Sequence, residues 1–477
     1  MNSFPAALNL WSIVLVTFFC ATLAYAQNDA TENKSGLYHE RYRPQFHFSV
    51  DKGWLNDPNG LVFFDGEYHL FFQFRPDALV QSPVMSWGHA VSADLVHWKQ
   101  LPIALKPDEH DGWIWSGSAV VDWQNTSEFG VGGRPPLVAM YTAAKDPFAQ
   151  AIAYSNDRGR TWTKFSGNPV LPHLANSNRD PHVIWYEPTK RWIVVLFKDV
   201  DSTFCLFSSP DLKQWTHLQD LQMSGCGECP DFFPLALDGD KSNMKWIFTA
   251  ANGQYLVGTF DGQKYSPTQE VRQVDFGRNY YAVQTYSDVP AADGRRIQVA
   301  WMRDGKYPEM PFNQQMSFPA ELTLHSTADG PRIFRNPVNE IEKLHGAEHR
   351  WRDIDLKPGQ DFLTGVSGEL FDIRADIEIN DASEVGLIVR NEAIRYDVKG
   401  KELTALGTAP LSLADGQLQL RVLVDRTSME TFADGGRVSL TSCFLPGSND
   451  QGVSLYAKGG NARLRSLAIY ELKSAWP

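Results

Sequence analysis

Short apolar runs dominate this chain. Leu61-Val62-Phe63-Phe64, Trp192-Ile193-Val194-Val195-Leu196 and Trp246-Ile247-Phe248 are rich in β-branched and aromatic residues, and turn clusters such as Asp65-Gly66 and Asp157-Arg158-Gly159 separate them. No long amphipathic helical period competes with this pattern, so the spacing predicts an all-β protein. A repeat emerges once the tryptophans are aligned. Ser92-Ala93-Asp94 with Trp98 recurs as Ser155-Asn156-Asp157 with Trp162 and as Ser209-Pro210-Asp211 with Trp215, and Phe260-Asp261-Gly262 with Tyr265 is a weaker echo. The aspartates at 94, 157, 211 and 261 are 63, 54 and 50 residues apart, an interval suited to one four-stranded propeller blade with a long loop. A sandwich with coincidental turn sequences is the competing reading. Near Asn336-Pro337-Val338-Asn339 the pattern becomes a polar connector with helical character. Beyond it, Leu418, Leu420, Val422 and Val424 alternate with Gln419, Arg421 and Leu423, and Asp434-Gly435-Gly436 supplies a hairpin turn, as in a β-sandwich.

A length of 477 residues implies more than one core. We expect a leader over 1–26, a propeller over 40–335, a linker over 336–350 and a sandwich over 351–477. With 43% hydrophobic and 21% charged residues the chain reads as globular, and a formal charge of −12 disfavours nucleic acid and anionic membrane as partners while suiting a neutral sugar. The apolar run from Leu8 to Leu23 ends in Ala24-Tyr25-Ala26, a small-x-small cleavage pattern that predicts secretion to an extracellular or periplasmic space. It has no Lys or Arg near its start, which leaves an uncleaved anchor open. Asn33-Lys34-Ser35 and Asn125-Thr126-Ser127 are glycosylation sequons. Cys226-Gly227-Glu228-Cys229 is a C-x-x-C without the further ligands that zinc needs; it reads as a local disulfide or as two thiols flanking a carboxylate.

Three acids in tight contexts stand out: Asp57 in Trp54-Leu55-Asn56-Asp57-Pro58-Asn59-Gly60, Asp180 in Arg179-Asp180-Pro181, and Glu228 in Glu228-Cys229-Pro230-Asp231. Two carboxylates facing one glycosidic bond are the minimum for hydrolysing it, and a third can grip the sugar. The three fall in different repeats, and a propeller brings its inner strands together on one axis. Each also has a purely structural reading. Asn56 to Gly60 alone is a turn sequence, Asp180 and Arg179 make an ordinary ion pair, and Glu228 suits a solvated loop. Only the joint pattern outweighs these.

With Tyr42-Arg43-Pro44-Gln45-Phe46-His47-Phe48, Phe72-Gln73, Trp87-Gly88-His89, Trp115-Ser116-Gly117-Ser118 and Val424-Asp425-Arg426-Thr427-Ser428-Met429-Glu430, the chain resembles glycoside hydrolase family 32, the invertases, exo-inulinases and levanases. The resemblance implies a five-bladed β-propeller followed by a β-sandwich. It also implies a retaining exo-β-fructosidase acting on sucrose or β-fructan, with Asp57 as nucleophile, Glu228 as acid and base, and Asp180 holding fructose hydroxyls beside Arg179. Asn56, Gln73, Trp115, Ser116 and Trp301 match positions around the sugar. No metal or organic cofactor is implied. Many relatives carry two tryptophans after the glutamine, whereas Gln73 to Trp87 keeps only the second, so preference for the leaving group cannot be carried over. Phe312-Asn313-Gln314-Gln315-Met316 leans toward the microbial fructan-degrading types. A fructosyltransferase would use the same three acids. A non-catalytic fructan-binding protein would be expected to have lost one of them.

Overall fold

The apolar runs are continuous because the strands that contain them are buried on both faces. In the strand Arg191–Phe197, Ile193 and Val195 pack into one cluster with Phe232 and Phe248, while Trp192 and Val194 pack into another with Val120 and Met140. Successive side chains of a strand point to opposite faces, so each face serves a different neighbouring sheet. The structure, a computed structural model, describes Met1 and residues 37–477 apart from 361, 362, 364, 414 and 448. The segment expected as a leader and the sequon at Asn33 lie outside the described residues, Met1 excepted.

Five mainly antiparallel blades form the propeller, the last two joined into one nine-stranded sheet by a parallel bridge from Leu237 to Leu324. Their inner strands are Gly53–Phe64, Trp113–Val121, Arg179–Tyr186, Asp231–Leu237 and Tyr281–Thr285, of blades 1 to 5 in that order. Each inner strand contacts the next, and the fifth contacts the first, which closes the ring. Clusters such as Phe71 and Trp87 with Ile114 and Tyr141 fill the gaps between blades.

The tryptophan repeat is the turn between the third and fourth strands of blades 1 to 3, and its echo occupies the same turn in blade 4. In blade 1 this turn joins Ser86–Ser92 to Lys99–Leu105. Ser92 Oγ donates to Asp94 Oδ1 at 3.2 Å, the same oxygen accepts the His97 N–H at 2.9 Å, and the Trp98 indole donates to the Leu95 carbonyl at 3.2 Å. Blade 3 repeats this through Ser209, Asp211 and Trp215. The residue after each aspartate is left-handed, with φ of 64° at Leu95, 63° at Arg158, 65° at Leu212 and 92° at Gly262. The aspartate carboxylate supplies the hydrogen bonds that hold this conformation at non-glycine residues.

The sandwich packs a six-stranded sheet on a five-stranded one. Residues 336–350 contain the end of the strand Arg332–Pro337, a 3-10 turn over Asn339–Leu344 and the start of His345–Leu356. In Gln417–Val424, Leu418, Leu420, Val422 and Val424 face the sandwich core, whereas Leu423, on the otherwise polar face, is buried against the propeller. The turn Asp434–Gly436 joins Ser428–Ala433 to Val438–Cys443.

Charged groups with side chains at most 1% exposed cross the seam between propeller and sandwich. His47 bridges Asp425 at 2.8 Å and Glu430 at 2.9 Å, and Arg335, in the last strand of blade 5, bridges Glu430 at 2.9 Å and Asp275 at 3.2 Å. Burial alone would depress His47, but the two carboxylates outweigh it and hold its pKa up at about 9. A folded pKa above the unfolded value of about 6.5 means that this stabilisation is complete below pH 6.5 and is lost as pH rises through 9. His47→Ala is expected to lower stability by about 3–5 kcal/mol, because it leaves the buried Asp425 without its charged partner and takes one of two from Glu430. Urea unfolding should also show, between pH 6.5 and 9, a loss of stability in the wild type that the variant lacks.

Candidate active site

The inner strands are irregular where they begin, and those irregularities carry the acidic motifs. In blade 1 the pairing with Glu67–Arg75 slips between Leu55 and Pro58 and again between Asn59 and Val62, so Asn56 and Asp57 sit in a bulge. Asn56 to Gly60, a turn sequence when read alone, is therefore a bulged strand. The bulge tolerates Pro58, which has no N–H for the ladder. Gly60 is left-handed at φ 53°, and a Cβ there would come within 2.8 Å of the Phe71 ring. Ser116 lies at a slip between Trp115 and Gly117, and Asp180 at one in blade 3 with φ 62°. Glu228 and Cys229, with φ 58° and 39°, precede the inner strand of blade 4, and Tyr281 begins that of blade 5 beside another slip. Each irregularity turns a side chain toward the axis.

The result is a cavity of about 390 Å³ lined by Asn56, Asp57, Gln73, Trp115, Ser116, Arg179, Asp180, Glu228 and Trp301, all nine residues singled out in the sequence. Ser116 Oγ donates to Asp57 Oδ2 at 2.6 Å and Asn56 Nδ2 donates to Oδ1 at 3.0 Å. The Trp54 indole donates to Asn56 Oδ1 at 2.9 Å, which fixes that amide's orientation. Asp180 Oδ2 accepts the Cys229 N–H at 2.9 Å, with Arg179 Nε 3.8 Å away. Glu228 accepts from Arg179 Nη2 at 2.8 Å and from the Tyr281 hydroxyl at 2.6 Å. Its side chain is 36% exposed against 7% for Asp180, so it stands at the mouth and Asp180 on the floor. Trp301 is held through its indole N–H on Gln314 at 2.9 Å, and Gln73 donates to the Ile114 carbonyl at 3.1 Å.

Burial raises Asp57, against the pull of Ser116 and Asn56, and the charge of Glu228 adds to the rise. Asp180 rises to about 7, again mainly by burial; Arg179 opposes this, while Glu228 and Asp57 reinforce it. The charge of Asp57 is thus one cause of the rise at Asp180, and a proton is retained on Asp180 near neutral pH.

Residues 47–337 match the glycosyl hydrolases family 32 N-terminal domain, and residues 340–471 match the glycosyl hydrolases family 32 C terminal. The chain belongs to glycosyl hydrolases family 32. It is 38% identical to the levanase of Bacillus subtilis (strain 168), across 98% of this chain and 75% of that one. It is 33% identical to the levanase of Bacillus sp. (strain L7), across 95% of this chain and 54% of that one, so it spans about half that relative's length. The crystal structure of exo-inulinase from Aspergillus awamori superposes with a TM-score of 0.83 at 28% identity, covering 92% of this chain and all of that one. The fructofuranosidase from Schwanniomyces occidentalis complexed with fructose gives 0.82 at 27% identity, with 92% and 99% coverage.

This family 32 cavity also contains residues that reading the sequence passed over. Tyr281 and Arg303 line it, with the Arg303 guanidinium 4.6 Å from the Tyr281 ring. Arg303 follows Trp301 by two residues but lies in the turn beyond that strand. Cys229 Sγ lies 3.6 Å from both Asp57 Oδ2 and Asp180 Oδ2. The C-x-x-C is not a disulfide: Cys226 and Cys229 are free, and the Cys226 thiol donates to Gln254. Cys205, His217 and Asp220 on blade 3 bring ligand atoms within 4.8 Å of one another, but the Lys198 ammonium already neutralises Asp220 at 2.9 Å. Burial pushes the Cys226 thiol up to about 11 and Cys229 well above its ordinary value, with the nearby carboxylates adding to the latter. In denaturant without reductant, Ellman's reagent is therefore expected to titrate Cys205, Cys226, Cys229 and Cys443, with Cys20 as a fifth in any chain that keeps residues 1–26, and with Cys229 unreactive in the native protein at neutral pH. A deficit of two thiols would establish a bridge.

Proposed function

We propose that this protein is a secreted, retaining exo-β-fructosidase that releases terminal fructose from sucrose or from β-linked fructans such as levan and inulin. The observation that carries this reading is the meeting of Asp57, Asp180 and Glu228, from three blades, in one small cavity. At about 390 Å³ it lies at the lower end of the range of ligand pockets, which suits a chain end better than a chain laid across it. The propeller supplies the chemistry and the sandwich braces it.

Asp57, gripped on both oxygens, attacks the fructose C2. The C2–oxygen bond to the leaving sugar breaks, and that oxygen takes the Glu228 proton. Water then gives a proton to Glu228 and its oxygen to C2 as the bond to Asp57 breaks. Two displacements at one carbon retain configuration. Glu228 suits the acid's role because it stands at the mouth, where the leaving group departs, with Arg179 and Tyr281 fixing its oxygens. Asp180, on the floor beside Arg179, suits a grip on ring hydroxyls. Levanase and exo-inulinase relatives support the substrate class.

A chromatographic time course with sucrose, inulin and levan, with Asp57→Ala as blank, tests this. Fructose as the main early product from each polymer is expected, and Asp57→Ala should lose about four orders of magnitude in turnover. Oligosaccharides growing from sucrose faster than free fructose would make the enzyme a transferase, and a ladder from the polymers would make it endo-acting. Glu228→Ala should spare fructosylation by substrates whose leaving group needs no proton.

Ser116→Ala gives a test of sign. The lost hydrogen bond favours ionised Asp57, so the pKa of Asp57 rises and the acidic limb of kcat/KM against pH moves upward. A loss of about tenfold or more at the optimum is expected. An unmoved acidic limb would show that Asp57 is not the group that must ionise.

A further inference from the structure

The inner strands that bring acids to one end of the propeller build a second recess at their other ends. Val120 and Trp185 from the far ends of the inner strands of blades 2 and 3, Phe233 from within that of blade 4 and Asp288 from beyond that of blade 5 line a cavity of about 540 Å³. Trp185 is five residues along its strand from Asp180, roughly 16 Å at strand rise. The two cavities are separate, and the mechanism uses nothing in the second.

Its walls are aromatic and braced. Trp185 meets Trp192 edge-on at 4.9 Å, and Trp246 lies against Phe232 at 4.7 Å, yet both lining rings remain half-buried. Its polar groups are under-used. Of the five N–H donors of Arg296, one reaches the Tyr286 carbonyl at 3.0 Å, and among the described residues it forms no ion pair. The guanidinium lies 5.1 Å from the Phe233 ring, and burial holds its pKa below the ordinary arginine value against the opposing charges of Asp231 and Asp288. Asp288 accepts the Val121 N–H at 2.9 Å and the Trp123 indole N–H at 2.8 Å, which leaves lone pairs on both oxygens.

Aromatic faces, a spare guanidinium and a carboxylate in one recess are complementary to a polyhydroxylated neutral ligand. An anion is disfavoured, since Asp288 and Glu187 offset Arg296 in the same lining. A purely apolar ligand would strand both charges.

We propose that this recess is a second, non-catalytic site for the sugar units of a fructan chain, with Trp185 and Trp246 against the rings and Arg296 and Asp288 on the hydroxyls. It faces away from the catalytic cavity, so it tethers the enzyme to polymer and raises the local concentration of chain ends. The inference rests on the fructan reading above.

The test uses the full chain carrying Asp57→Ala, so that the polymer survives. Migration is compared in gels containing levan, inulin or dextran, and calorimetry follows short fructo-oligosaccharides. Retardation by levan or inulin but not dextran is expected, with a binding event beyond that of the catalytic cavity. Arg296→Gln should weaken that event about tenfold, or 1.4 kcal/mol. Met244→Arg, at a rim residue 40% exposed, should obstruct it without touching the core. In the otherwise wild-type enzyme both changes should leave sucrose turnover unaltered and slow hydrolysis of insoluble levan. A single binding event, equal retardation by dextran, or a second event that survives both changes would overturn the proposal. Absence of fructose release by the wild type would instead sink the substrate reading on which it rests.

Discussion

The buried ion cluster at the seam fixes where everything else sits. His47 precedes blade 1, Arg335 ends blade 5, Asp275 lies between blades 4 and 5, and Asp425 and Glu430 belong to the sandwich. None of these charges is tolerable without the others, since removing one partner leaves its counterpart unpaired in a low-dielectric interior. The ring therefore closes and the sandwich docks in one arrangement. The effect reaches the site through a short segment of chain. The Phe318 N–H donates to Glu430 at 2.7 Å, and Gln314, four residues earlier, holds the Trp301 indole at the cavity wall. We read the cluster as a device for specificity of arrangement more than for net stability, because well-packed apolar side chains could stabilise such a seam as well.

Within that frame, regular ladders build the blades and broken ladders build the site. Asn56, Asp57, Ser116, Asp180 and Tyr281 all lie at or beside slips in strand pairing. A left-handed backbone at Asp180 and Glu228 is costly for residues with a Cβ, and it persists because the surrounding ladders leave the chain little else to do. The electrostatic imbalance is built the same way. Arg179 reaches Glu228 and the vicinity of Asp180 but has no direct bond to Asp57, whose partners are the neutral Ser116, Asn56 and Cys229. The most buried of the three acids is held near neutrality, and the most accessible is clasped by donors.

What the sequence made legible follows from how local each signal is. The aspartate and tryptophan of the repeat satisfy one turn within seven residues, so four blades announce themselves. Blade 5 has no such turn and is visible only once the ring closes. The acids sit in distinctive local words, and all reach one cavity. Tyr281 and Arg303 sit in no such word, because their importance comes from a partner 53 residues away in one case and from stacking in the other. Leu423 looked like an exception to alternation until the propeller was found covering that face. Of the two readings of the C-x-x-C, the pair of thiols holds and the disulfide does not: local geometry sends Cys226 to Gln254 and Cys229 between two carboxylates.

The rim differs in kind from the floor. Asp57 is held on both oxygens from inner strands, by Asn56 and Ser116, whereas Gln81, Ser82 and Met85 reach the cavity from the segment between two strands of blade 1. By the resemblance read in the sequence, that segment corresponds to the one that holds an additional tryptophan in many family members. It is pinned at two points, by the Trp115 indole on the Pro83 carbonyl at 2.9 Å and by Asn313 on the Leu79 carbonyl at 2.8 Å. An amide, a hydroxyl and a thioether offer a leaving sugar hydrogen bonds and adaptable packing in place of a flat ring. Selection among substrates that share a terminal unit must act through groups that touch what lies beyond that unit, and loops tolerate change that the bulged inner strands do not.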